Sequence, residues 1–331
     1  MEQFGTMPDG TPVCRIRLQS DKLQANFLSY GAVLQDLRLD GHPDPLVLGF
    51  PNFAPYLTHS PYFGAIAGRC ANRIRDGHLE IDGKTHQLDR NFLGKHALHG
   101  GACGTGKKVW QVEHATSNSV TFTIALADRE MGFPGALDAK VVYSLGPDAT
   151  LDVKMEATTD APTLCNLAHH SYFTLDGTGS IANHLLKIDA ENYLPVDEEL
   201  IPTGEIRPVA DTRFDFRLPR PVADGGSLDH NFCLSSNRRE ICSVALLTSV
   251  VSGVALEVRT TEPGLQIYDG SRIDIDIPGL VGLPMSDHAG IAIEPQVWPD
   301  ANHNEDFPDA VLRPGETYRQ HTQFVFSKET A

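Results

Sequence analysis

The chain has 331 residues, with 27 basic and 43 acidic side chains and a formal charge of −16 at pH 7. That balance argues against a general polyanion binder, which needs clustered Lys and Arg to displace counterions, and against docking on an anionic membrane surface. A hydrophobic fraction of 41% is ample for a core, and 21% charged residues is ordinary for a folded chain.

The N-terminal stretch, Met1 to Gly10, carries acids and a Pro and lacks the basic-then-apolar layout of a signal peptide. No apolar run approaches the ~20 residues that span a bilayer. Alternation of apolar and polar residues begins at Cys14–Leu18 and Leu23–Phe27, and period-two patterning places one face of a strand on a core. Residues Pro51 to Leu57 read as a short helical turn. The segment Gly68-Arg69-Cys70-Ala71-Asn72-Arg73-Ile74 then concentrates directed donors that suit a polyhydroxylated or anionic ligand, or that brace loops through backbone carbonyls. Asp82-Gly83, between His78–Ile81 and Lys84–Leu88, predicts a two-residue hairpin, since both turn positions need positive φ. His99-Gly100-Gly101 lets backbone come close to a ligand and leaves an imidazole uncovered.

Long alternating runs follow at Val120–Leu126, Leu137–Leu145 and Leu151–Ala157. In Asn166-Leu167-Ala168-His169-His170-Ser171-Tyr172-Phe173 the adjacent histidines point to opposite faces of a strand, so only one can serve a given pocket, as acid or base or as a structural imidazole. The Pro-, Gly- and Arg-rich stretch from Asp215 to Gly226 reads as a long surface loop. Ser227–Phe232, Val254–Val258 and Thr260–Tyr268 precede a last segment, Gly290–Asn302. There, Glu294 ends an apolar run, where desolvation raises a carboxyl pKa toward that of a useful base, unless an Arg pairs with it as a buried brace. Trp298 offers a flat face for a sugar or for packing.

Asp-Gly occurs seven times and no amphipathic helix of ten residues is present, so the pattern predicts an all-β chain, a large antiparallel sandwich or barrel, as one domain over residues 1–331. The six cysteines, Cys14, Cys70, Cys103, Cys165, Cys233 and Cys242, are scattered and read as reduced, mostly buried thiols. A cytoplasmic location is expected, although a secreted form with its signal removed fits too. Phosphate-loop, zinc-protease and nucleophile-elbow motifs are missing, and Gly100–Gly106 lacks the βαβ context of a dinucleotide site. His99, His170 and His288 could meet at a metal only by a fold the sequence does not specify.

Taken in order, Gly68–Ile74, Leu98–Gly101, His169–Leu175, Asp229–Leu234, Glu262–Gly270 and Glu294–Asn302 resemble the aldose 1-epimerase (galactose mutarotase) family. The resemblance runs from about Gly5 to Phe326. It implies an antiparallel β supersandwich with the sugar in an open cleft, and exchange of the α and β anomers of free aldoses without cofactor or metal. It implies His170 as general acid and Glu294 as general base, with sugar contacts at Asn72, Arg73, His99, Asp229 and Gln266 and with Ser171 and Tyr172 lining the cleft. The expected partner is a small aldose, with no nucleic acid, no membrane and an open oligomeric state. This chain departs from relatives at His169, where Asn or Ser is frequent, at Thr174, and at Pro295 between the carboxylate and Gln296. A glycosidase using Glu294 and Asp229, a hexose-phosphate epimerase relative and a non-catalytic sugar-binding domain are the rival readings.

Overall fold

The computed structural model describes residues 1–328. Strands account for nearly all regular structure, and among the described residues the single α-helix is the turn Ala54–Thr58, at the position predicted. The Asp82-Gly83 hairpin forms as expected. His78–Ile81 pairs with Lys84–Gln87, and Asp82 and Gly83 take φ of 52° and 71°.

Three sheets dominate. A nine-stranded antiparallel sheet runs in the order Gln111–Ala115, Ser119–Leu126, Leu137–Leu145, Thr150–Thr159, Tyr318–Lys328, Val254–Thr260, Cys242–Ser249, His184–Ile188 and Arg220–Pro221. Opposite it lie a four-stranded N-terminal sheet, Glu2–Thr6 to Val33–Leu39, and a six-stranded sheet centred on Ile291–Gln296, Gly264–Tyr268 and Asp229–Cys233. The main core fills the space between them. It joins Ile16 and Phe27 of the small sheet, Phe122, Val141 and Phe324 of the large one, and Leu265, Ile267, Ile291 and Ile293 of the third. Each such side chain contributes ~1.5–3 kcal/mol by leaving water. The stretch Asp215–Gly226 is not free loop. Arg220–Pro221 adds to the sheet edge, and Phe216 and Val222 are buried.

Period two decides what faces where in the third sheet. Leu265, Ile267, Ile291 and Ile293 point into the core, so Gln266, Tyr268, Ala292 and Glu294 stand on the opposite face. Antiparallel register then sets Asn231 beside Gln266, Gln266 beside Glu294, and Asp229 beside Tyr268. A short strand, Ala168–His170, pairs with Ala65–Ala67 and brings the His pair alongside this face. Among the described residues no helix is long and apolar enough to cross a membrane, and all six cysteines are unpaired.

Candidate active site

The outer face of the third sheet carries a cleft of about 180 Å³, walled by Tyr62, Asn72, Arg73, His99, His170, Tyr172, Asp229, Tyr268, Arg272 and Glu294. His170 Nε2 lies 3.5 Å from Glu294 Oε2, with both side chains almost fully buried. His170 Nδ1 and Glu294 Oε2 have no hydrogen-bond partner in the protein. Burial sets their charge. It pushes the His170 imidazole down to about 4, with Asp229 opposing and Arg73 assisting. It raises the Glu294 carboxyl well above the usual range, reinforced by the negative charge of Asp229. Burial thus disfavours the charged form of each group.

The adjacent histidines separate as alternation requires. His169 turns to the core side, where Tyr143 Oη lies 3.2 Å from Nδ1 and Ser171 Oγ 2.8 Å from Nε2. Ser171 is thus not a cleft residue. It is wholly buried and bonded to His169. Tyr172, two residues beyond His170, does return to the cleft.

A second set of groups forms the far wall. Arg73 Nη2 donates to Asp229 Oδ2 at 3.0 Å, and Gln266 Nε2 donates to Asp229 Oδ1 at 2.6 Å. Gln266 does not line the cleft directly, and it holds the carboxylate that does. Arg73 Nε and Gln266 Oε1 are buried without protein partners. Asn72 folds back, its Oδ1 accepting from the Arg73 backbone N–H at 2.8 Å. Its own N–H donates to His99 Nδ1 at 3.2 Å, so His99 carries its proton on Nε2. Burial lowers the pKa of that imidazole well below the usual value, and His170 and Arg73 add to the shift. Gly100 makes this packing possible. At φ of 82°, a Cβ there would fall 1.9 Å from the Gly68 carbonyl oxygen. The close approach of the His-Gly-Gly run is to the Gly68 backbone and not, as expected, to a ligand, and the His99 imidazole is buried and not uncovered.

The arginines of the first segment divide. Arg73 serves the cleft. Arg69 is a brace, donating to the carbonyls of Gly135 at 2.7 Å and Ala127 at 3.1 Å. A buried glutamate braced by arginine does occur, but it is Glu262, gripped by Arg238 at 2.7 and 3.0 Å, and not Glu294. Trp298 is buried, donates to Pro263 O and packs on Phe307, so it presents no face to the cleft. Asn166 clamps both backbone groups of Val297, just past the Glu294 strand.

Tyr62 is the main cleft residue that the sequence did not point to. It stacks on His170 with centroids 5.9 Å apart and meets His99 at 4.6 Å. Tyr268 and Arg272 were also passed over as individual residues, though Tyr268 lies in one of the six segments. A larger groove of about 800 Å³ borders Arg238, Tyr318 and His321. Several of its ionic groups are already matched, Arg238 with Glu262, Arg319 with Glu156 and His321 with Asp152, and the one histidine on its wall is among them.

A buried imidazole 3.5 Å from a buried carboxyl, faced by Arg73, Asp229 and His99, is the arrangement that an acid–base enzyme for a small polyhydroxylated molecule would need. The profile of the aldose 1-epimerase family matches residues 15–325, and the chain belongs to that family. It is 41% identical over 340 residues to the galactose mutarotases of pig and human, across 98% of this chain and 97% of each relative. It is 34% identical to the aldose 1-epimerase of Escherichia coli K12, across 97% of both chains. The solved structure of an aldose epimerase homologue from C. elegans matches with a TM-score of 0.91 at 31% identity, covering 96% of this chain and 100% of that one. The activity is that of an aldose 1-epimerase, an isomerase acting at the anomeric carbon.

Proposed function

We propose that His170 and Glu294 open and reclose the pyranose ring of a free aldose such as glucose or galactose, with Arg73, His99 and Asp229 holding the hydroxyls remote from C1. Ring opening needs a proton on the ring oxygen and removal of one from the C1 hydroxyl. Done together, the two transfers avoid building either full charge, and each contributes ~10²–10⁴-fold. His170 gives its proton to the ring oxygen, and Glu294 takes the hydroxyl proton. The open aldehyde turns about C1–C2, and the reverse transfers close the ring on the other face.

The observation that carries this reading is the close, buried approach of His170 to Glu294. Opening the ring converts imidazolium and carboxylate into imidazole and carboxyl, the form that burial favours. Asp229, fixed by Arg73 and Gln266, and the His99 Nε2–H supply an acceptor and a donor at the other end of the ring. A glycosidase reading is disfavoured because an imidazole, and not a second carboxyl, stands 3.5 Å from Glu294. One folding unit is supported by a main core that reaches from Ile16 to Phe326, and a cytoplasmic setting by the unpaired thiols.

Polarimetry of fresh α-D-glucose and α-D-galactose tests the proposal, with the spontaneous rate subtracted. Acceleration of either sugar that is lost in His170→Ala is expected. Full activity in that variant would overturn the assignment.

A further inference from the structure

His78 and His303 stand 225 residues apart in sequence, yet His78 Nδ1 and His303 Nε2 face each other at 3.4 Å. Their rings lie nearly parallel, 23° between planes, with centroids 5.6 Å apart. Neither belongs to the cleft. His78 opens the strand His78–Ile81, and His303 ends a short turn, Ala301–His303, beyond the Glu294 strand.

Behind this pair stands a fixed carboxylate. Asp300, with no exposed side-chain surface, lies 2.7 Å from His303 Nδ1. The same carboxylate accepts from the Arg75 backbone N–H at 2.8 Å, and its second oxygen lies 3.4 Å from Arg75 Nε. A carboxylate at Nδ1 fixes the proton there and leaves Nε2 as a lone pair, the arrangement seen when a histidine is oriented to bind a metal. Asn302 anchors the turn by donating to the His78 carbonyl at 3.2 Å.

The spacing is itself informative. Two imidazole nitrogens each ~2.0–2.1 Å from a tetrahedral ion lie about 3.3 Å apart. We propose that His78 Nδ1 and His303 Nε2 form a two-histidine chelate for a divalent transition ion such as zinc or nickel, oriented by Asp300 and completed by water. The site is open to solvent, so water can fill the remaining positions and the ion can enter directly. Without an ion, the His78 N–H donates to the His303 lone pair. With one, His78 moves its proton to Nε2 and both lone pairs turn to the metal. The bound ion staples the Asp82-Gly83 hairpin to the turn after the Glu294 strand and takes no part in proton transfer at the cleft.

Calorimetric titration of the full chain with zinc chloride in a non-chelating buffer tests this, using wild type, His78→Gln and His303→Gln. One ion per chain should bind in the tightest step, at least about tenfold weaker in each variant, and weaker again as pH falls from 7.5 to 5.5 because protons compete for imidazole. Mutarotation without added metal should be unchanged in both variants. No such step in wild type, an unchanged step in both variants, or a loss confined to one of them overturns the proposal. A second readout needs no variant. Nickel(II) added to wild type should broaden the imidazole resonances of His78 and His303 before those of any other histidine, and the reverse order also overturns it.

Discussion

Replacing Glu294 by Gln isolates the titrating group while leaving its space filled. The strand is held by Ile291 and Ile293, both fully buried on its other face, so the fold should survive. Glu294 Oε2 lies 3.5 Å from His170 Nε2 and has no other protein partner. A Gln amide can hydrogen-bond there but cannot take the C1 proton. Losing one positioned acid–base partner should cost ~10²–10⁴-fold in rate, or about 3–5 kcal/mol of barrier. The assay is polarimetry of α-D-glucose across pH, less the spontaneous reaction at each pH. In wild type, kcat/KM reports the free enzyme. It should fall below about pH 4, as the His170 imidazole becomes charged in the free enzyme. It should fall again on the alkaline side, as the Glu294 carboxyl, its pKa raised by burial, loses its proton. The Gln variant should lose the alkaline fall along with the rate. A loss smaller than tenfold, or an alkaline arm that persists, would refute this role for Glu294.

Three further outcomes are expected. Ser171→Ala should leave kcat within about twofold, since the hydroxyl serves His169 and not the cleft; a large fall in kcat at unchanged stability would restore it to the site. Arg238→Ala should destabilise by about 3 kcal/mol in urea unfolding, because it strands the buried Glu262 carboxylate, while activity at low temperature persists. An effect below 0.5 kcal/mol would show the pair to be idle. Stability should also fall as pH drops from about 6.5 toward 4. His169 is held down to about 3, His170 and His230 to about 4, and His42, His99 and His184 are lowered as well, so the unfolded chain takes up protons that the folded one refuses. Glu262 and Glu294 are shifted upward and act in the opposite sense, but they are two groups against six. A urea midpoint that rises between pH 6.5 and 4 would contradict this.

Much of the fold was legible because its strands are half-exposed and alternate cleanly, as at Leu137–Leu145, and because Asp82-Gly83 specifies its turn locally. The split of His169 from His170 followed from the same alternation. Applied one residue further, that rule also sets Ser171 with His169, and the expectation that Ser171 lines the cleft set it aside. Tyr62 was not legible. It sits at φ of 68° in an irregular segment, and only tertiary packing stacks it on His170. Arg69 and Arg73 were alike in sequence, and what separates them is the nearest partner, backbone carbonyls for one and Asp229 for the other. The approach of His78 to His303 depends wholly on long-range folding.

The cleft floor and the hydrophobic core are two faces of the same strands, and this restricts how the protein can diverge. An insertion or deletion of one residue in Ile291–Gln296 or Gly264–Tyr268 would exchange carboxylate for isoleucine and disable both faces at once. Substitution on the floor is confined to every second position, each bordered by core. The rim is under no such constraint, since Tyr62 and Arg272 reach the cleft from irregular chain outside the strands. A lineage adapting to a different sugar would therefore be expected to vary at the rim first and to leave the floor as it is.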